Sequence, residues 1–316
     1  MTRFAARMQL PSELRRTADE QAGLLSIEQL TAAGVTSRVA CRRVDTGAWR
    51  RVTRGVYDVA VGAHGESWDG RRRRAAWLGL LAYGCDAIAV GTAALALHGI
   101  LGLPARVRPE VALPRASDRA SRDGIRLRQF DAGMTTVVIG GRRVASPDWA
   151  LAQAVPELPR PNALAVMDSA MHRGLLDATG IERAHDLARG RRGVAATHEL
   201  WGLADGRAES PLESFGRLDC VDAGVPPDTL QLPLLDLAGR VTARADMGWR
   251  LGSRRWLVAE MDGQDVHAAP DAVYADRVRQ NRLVASGAVD VLRFTGRDVP
   301  GRVGTAVAAL LRQHGR

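Results

Sequence analysis

The sequence predicts a mixed α/β protein in three parts, and three observations carry that expectation. A short arginine-rich opening reads as helices followed by a hairpin; the middle mixes strands and helices; the last third runs helix, three strands, helix, strand, helix. The parts are expected at residues 1–60, 71–204 and 205–316, parted by the polar stretch from Val61 to Gly70 and by Asp205-Gly206-Arg207. A chain of 316 residues has room for two or three cores. Its 46% hydrophobic content and ordinary charge argue against a disordered protein, and with only 4% aromatics the cores must be filled by Ala, Val and Leu.

In the first part a helix is expected over Glu13–Glu20. Ser26 can cap a second, with Gln29 three residues on as the reciprocal partner and Gly34 as its stop. A third helix is expected from Ser37 to Asp45. Arg38 and Arg42 share a face there and Arg43 lies beside them. Trp49–Val52 and Gly55–Val59 make two short strands around Thr53-Arg54. This is the outline of a winged helix-turn-helix. The basic helix suits a major groove, and Arg51 and Arg54 on the wing could reach phosphate; the alternative is a small helical domain whose arginines simply face solvent. Leu24–Val59, with its W-R-R-V-x-R-G-V-Y run, resembles the N-terminal domain of AbiEi-type antitoxins from abortive-infection systems. The resemblance implies operator-DNA binding and autoregulation, with a cognate toxin as a possible partner.

The central region carries no motif of its own. A helix with a fourfold arginine run at its front is expected over Arg71–Tyr83, the run being either solvated or a phosphate patch. Val107–Leu113, Ile125–Phe130 and Thr136–Ile139 alternate like strands, while Pro147–Gln153 and Ala163–His172 look helical. His98 has no chemical partner nearby in sequence and reads as a satisfied structural histidine.

The formal charge of +9 attracts polyanions, and every basic side chain is arginine, since the sequence contains no lysine. Cys41, Cys85 and Cys220 have neither disulfide-scaffold nor zinc-site spacing. The apolar stretch Ala75–Leu81 is too short to cross a bilayer, and Asp86 and His98 interrupt Tyr83–Gly102. No apolar run follows the N-terminus as in a secretion signal, so a cytoplasmic protein with no membrane partner is expected. Oligomeric state is not legible.

The most specific chemistry lies in the last third. Ser210 and Pro211 open a helix running to Asp222 or Ala223, with Glu213 at its third position as a capping acid or an additional ligand. Strands follow over Leu230–Asp236, Gly239–Gly248 and Arg255–Asp262. Leu257, Ala259 and Met261 face one way in the last of these, and Val258, Glu260 and Asp262 the other. Acids at i and i+2 after an apolar strand are costly to bury unless a cation neutralises them. Asp246, near the end of the neighbouring strand, would lie opposite or diagonal to them. Asp246, Glu260 and Asp262 are therefore the candidate ligands for Mg²⁺ or Mn²⁺, the hard cations that prefer oxygen. His267 follows, then a helix over Tyr274–Ala285 carrying Arg277 and Arg279, and a strand Val289–Phe294 carrying Arg293.

This order, with Ser210-Pro-Leu-Glu213, Asp246, Glu260-x-Asp262-Gly263, His267, Asp276-Arg277-x-Arg279 and Val291-Leu-Arg293-Phe, resembles the PD-(D/E)xK restriction-endonuclease-like superfamily. It looks closest to the branch related to very-short-patch-repair (Vsr) endonucleases. The resemblance implies a hydrolase, a metal-dependent DNA endonuclease of a defence or repair type. The superfamily's usual lysine two residues after the second acid is absent. Asp262 stands there, and His267 is the candidate to position or deprotonate the attacking water. Arg277, Arg279 or Arg293 could neutralise charge on the phosphate, Arg277 being equally readable as a structural ion-pair partner. The rival expectation is an antitoxin-like DNA-binding regulator that keeps an inert nuclease fold.

Overall fold

The computed structural model describes residues 10–61, 67–114, 119–235, 240–253, 255–263 and 289–316. The architecture is mixed α/β with three separate sheets, and the chain divides into two compact units. Unit 1 comprises Met1–Glu157 and Glu182–Val194; unit 2 comprises Leu158–Ile181 and Ala195–Arg316.

Unit 1 opens with α1 (Ser12–Glu20), β1 (Leu24–Ser26), α2 (Ile27–Ala32), α3 (Ser37–Asp45), β2 (Arg50–Thr53) and β3 (Val56–Asp58). The capping box at α2 forms as the sequence predicts: Ser26 Oγ accepts from the Gln29 N–H, and Gln29 Oε1 accepts from the Ser26 N–H at 2.9 Å. The α3 limits also match the expectation, with Thr36 as its side-chain cap. β1 was not expected; it adds to the hairpin in the order β1-β3-β2, closing a core of Leu14, Leu25, Leu30, Ala40, Trp49 and Tyr57. The β2–β3 turn is Arg54-Gly55, and Gly55 takes the positive φ of +77° that such a turn needs.

The remainder of unit 1 sets α4 (Trp68–Tyr83) and α5 (Gly91–Leu97) with a five-stranded sheet in the order β6-β5-β4-β8-β7. Its strands are β4 (Ile88–Ala89), β5 (Glu110–Ala112), β6 (Arg126–Arg128), β7 (Thr136–Ile139) and β8 (Arg142–Ala145), and α6 (Pro147–Ala154) follows. α4 begins earlier than expected because Ser67 caps it, accepting from the Gly70 N–H at 2.9 Å. Its arginine run splits. Arg72 turns inward to Asp69 at 2.6 Å and the Pro104 carbonyl at 2.8 Å, and Arg74 to buried Asp58 at 2.7 Å, whereas Arg71 and Arg73 are exposed. His98 is the satisfied side chain anticipated: its Nε2 sits 2.8 Å from the Ala145 carbonyl, and burial holds its pKa below the usual imidazole value.

In unit 2, α7 (Arg160–His172) packs with α10 (Pro211–Asp222). Between them in sequence come α8 (Ala178–Ala188), most of which belongs to unit 1, and α9 (Val194–Trp201). The α7–α10 pair is pinned by Asp168, whose Oδ2 accepts from Arg217 Nη2 at 2.7 Å with both side chains buried. Arg217 also donates to the Leu203 carbonyl, and Asp168 accepts from the Asp205 N–H. A four-stranded sheet follows, in the order β12-β11-β10-β9: β9 (Thr229–Leu235), β10 (Val241–Arg250), β11 (Trp256–Asp262) and β12 (Val289–Thr295). β9, β10 and β11 are antiparallel neighbours, and β12 runs parallel to β11. Leu257, Ala259 and Met261 join Cys220, Met247, Trp249, Phe294 and the C-terminal helix α11 (Arg302–Gln313) in one core, while Val258 belongs to a smaller cluster with Leu234, Ala245 and Val289. That alternation along β11 is the one the sequence predicts. α10 and α11 meet closely at Gly304, whose N–H donates to Asp219 Oδ2 at 3.0 Å; a Cβ there would lie 2.3 Å from the Asp219 carbonyl oxygen.

Candidate acidic site on the sheet of unit 2

Strand pairing brings the acids into one neighbourhood. The β10–β11 register runs from Arg250–Trp256 to Met247–Ala259, and one residue further along it Asp246 comes level with Glu260. Asp246 thus sits in the middle of the ten-residue β10 rather than near its end, because the strand continues through Gly248 and Trp249 to Arg250. The Met261 N–H donates to Asp246 Oδ2 at 2.7 Å, so a main-chain donor of β11 fixes the carboxylate's position.

Asp246 is half-buried and its pKa is pushed up to about 6. Burial is the largest cause. The Met261 hydrogen bond opposes it, and the negative charges of Glu213, Glu260 and Asp262 add to it. All four predicted acids therefore act on the same region, with Asp246 at the centre. Parallel pairing with β12 sets Glu260 level with Arg293 and Asp262 level with Thr295. Arg293 Nη2 reaches Glu260 Oε2 at 2.8 Å, and its Nη1 stands 3.8 Å from Asp262 Oδ2.

Glu213 reaches the region from the first turn of α10. Ser210 Oγ accepts from its N–H at 3.2 Å as the cap motif requires, but the Glu213 carboxylate bonds one residue beyond the expected partner. Its Oε2 accepts from the Glu209 N–H and from Gln231 Nε2, both at 2.9 Å. Gln231 escaped the sequence reading. It lies in β9 with a φ of +52°, an irregular backbone position within an apolar run, and its polarity there was the only available signal.

The donor chemistry suits a hard divalent cation: carboxylate oxygens, with Asp246 short of positive charge. Coordination asks for more than electrostatic influence, which acts well beyond a metal–oxygen bond of about 2.1 Å. Among the described residues no three His, Cys, Asp or Glu side chains are grouped closely enough to hold a metal ion, and Arg293 engages Glu260. His267, Arg277 and Arg279, with the helix expected around the last two, lie outside the described residues.

The basic side chains predicted on unit 1 are placed on α3 and the hairpin. Arg38 and Arg42 are exposed on α3, Arg43 is half-buried, Arg51 is exposed on β2 and Arg54 at its turn. Arg50, beside them, instead pairs with Asp58 at 3.1 Å. Of the cysteines, Cys41 and Cys85 are exposed, while burial pushes the Cys220 thiol up to about 12. Among the described residues no helix is long and apolar enough to cross a membrane.

No family model matches the chain. Two curated relatives from Mycobacterium tuberculosis, uncharacterized protein Rv2248 of strain H37Rv and uncharacterized protein MT2308 of strain CDC 1551 / Oshkosh, are each 35% identical over 172 residues. The match takes in 54% of this chain and spans 62% of the length of each relative.

Proposed function

We propose that this protein binds DNA through α3 and the β2–β3 hairpin and hydrolyses DNA phosphodiesters at the acids of unit 2, with Mg²⁺ or Mn²⁺ as cofactor. The observation that carries the catalytic half is Asp246: a half-buried carboxylate surrounded by three further negative charges and raised to about 6. A cation held by Asp246 would offset that burial and repulsion, which the Arg293 charge beside Glu260 relieves only in part. The order α10, three antiparallel strands, then a parallel β12 and α11 is in keeping with a PD-(D/E)xK-type domain. The order α1, β1, α2, α3, β2, β3 is in keeping with a winged helix of the AbiEi-antitoxin type. Exposed Arg38, Arg42, Arg51 and Arg54 supply the phosphate and base contacts.

In this reading Asp246 and Glu260 would hold the metal, with Asp262 and Glu213 assisting. The bound cation would supply an acidified water and polarise the scissile phosphate. Met261 fixes the Asp246 oxygen through its N–H, and Gln231 orients Glu213. Arg293 neutralises Glu260 in the resting site, and its displacement toward phosphate would free that carboxylate. The same ion pair favours a second reading, a DNA-binding regulator whose nuclease fold is inert because arginine already occupies the acid.

Nicking of supercoiled plasmid, with Mg²⁺, Mn²⁺ or EDTA, separates the two. Metal-dependent nicking by the wild type should fall at least a hundredfold in Asp246→Asn and Glu260→Gln prepared in parallel. Undiminished cutting by either variant removes the nuclease reading. DNA binding without any cutting by the wild type leaves the regulator.

A further inference from the structure

A cleft of about 420 Å³ opens in unit 1 between the β2–β3 turn and the C-terminal end of α4, lined among others by Ile27, Glu28, Arg54, Tyr83, Arg119 and Arg122. We infer that this cleft is a phosphate-binding site, separate from the exposed face of α3. For DNA as the source of the phosphate the inference rests on the DNA-binding reading; the anion site itself does not.

Among the described residues the lining holds three guanidinium groups, those of Arg54, Arg119 and Arg122, and one carboxylate, that of Glu28. Two are anchored by the end of a helix. Arg122 Nη2 donates to the Ala82 carbonyl at 2.7 Å and its guanidinium lies over the Tyr83 ring, 5.4 Å from the centroid. Arg119 Nη1 donates to the Tyr83 carbonyl at 2.8 Å. The Tyr83 hydroxyl donates to the Ala120 carbonyl at 2.6 Å, fastening that segment to α4. These bonds cover main-chain oxygens at the helix end that would otherwise repel an anion. A guanidinium has five N–H donors, so Arg122 keeps others to offer in a plane already set by the ring and the carbonyl.

Arg54 approaches from the opposite wall, at the exposed hairpin turn, and has no ion-pair partner among the described residues. Donors arriving from two walls suit a tetrahedral anion, which accepts on several sides. Ile27 adds an apolar surface, and the space admits a phosphate together with flanking sugar atoms. Glu28, exposed in the first turn of α2, is the one carboxylate among the described lining residues and opposes an anion. Its removal should therefore strengthen binding, a gain that loss of structure cannot imitate.

The test uses the full chain and four variants: Ala120→Glu, which adds a carboxylate without touching the anchoring arginines; Arg122→Gln; Glu28→Gln; and the Arg38→Gln/Arg42→Gln pair on α3. Labelled duplex DNA is titrated across a salt series, and inorganic pyrophosphate is titrated by calorimetry. We expect A120E and R122Q each to lower the slope of log affinity against log salt by about one, since a phosphate contact contributes ~0.9. E28Q should tighten binding severalfold, and an unchanged A120E melting temperature would exclude misfolding. Loss of the DNA effect alone, with pyrophosphate still bound by the wild type and refused by A120E, identifies free phosphate as the ligand. Cleft effects seen only with DNA identify the backbone. If the α3 pair weakens DNA binding while A120E, R122Q and E28Q match the wild type in both titrations, the cleft inference fails and the DNA-binding reading stands. If no DNA is bound at all, that reading fails, and pyrophosphate alone decides the cleft.

Discussion

Asp246 is set among like charges, and its protonation is linked to the stability of unit 2. Its folded pKa, about 6, lies above the ordinary carboxylate value, so the folded state binds the proton more tightly than the unfolded state does. The resulting stabilisation is complete below about pH 4 and is lost as pH rises through the folded pKa. In metal-free buffer Asp246→Asn should therefore be more stable than the wild type at pH 8 by about 1–2 kcal/mol, after allowance for partial exposure, and indistinguishable below about pH 4. Urea unfolding at the two pH values measures this; an Asn variant less stable at pH 8 would contradict it. Mn²⁺ should raise the wild-type midpoint and leave that of the variant unmoved. The acids themselves were readable in the sequence because charged residues interrupt apolar strands. The Glu260–Arg293 pair was not, because the parallel register joining them depends on how the chain returns between β11 and β12, which spacing does not encode.

Elements with local start and stop chemistry were legible to within a residue or so. Ser26 and Gly34 bracket α2, Thr36 and Gly47 flank α3, and Ser210-Pro211 begin α10. Short elements held by distant partners were not. β4 is two residues long and exists because β5 and β8 flank it. The start of α4 was hidden because Ser67 sits in a polar stretch that reads as linker. Helix contact, too, is a matter of partners, and α10 with α11 shows it. Gly304→Ala would force a Cβ to within 2.3 Å of the Asp219 carbonyl oxygen, a main-chain atom that cannot swing aside. The substitution should cost about 2–3 kcal/mol, while Gly296→Ala, with nothing within 4 Å of the added carbon, should change little. Denaturant midpoints for the two variants settle the comparison, and equal midpoints would mean that the helices part easily.

On the scale of the whole chain, the buried Asp168–Arg217 pair decides which fragment can stand alone. Burial pushes the Asp168 pKa above its ordinary value, while the Arg217 guanidinium at 2.7 Å pulls the other way. A fragment of residues 205–316 keeps Arg217 but lacks Asp168. Leaving one member of a buried pair alone costs about 3–5 kcal/mol. A fragment of residues 158–316 keeps both. The shorter piece should melt far below the longer one or fail to fold, as circular dichroism would report; equal melting would mean that α7 is dispensable. The partners are 49 residues apart on two helices with no shared pattern, so no reading of the sequence by periodicity could have joined them.

The chain leaves unit 1 after Glu157, makes α7 for unit 2, and returns for Glu182–Val194 before unit 2 resumes. Emerging from a ribosome, it cannot complete the first unit until after α7 has appeared. α7, with Leu164, Val166 and Met167 destined for full burial, must then wait in water until α10 is synthesised. Vectorial synthesis thus exposes one greasy helix during a fixed interval, and that helix is where nascent-chain chaperones would be expected to engage this protein.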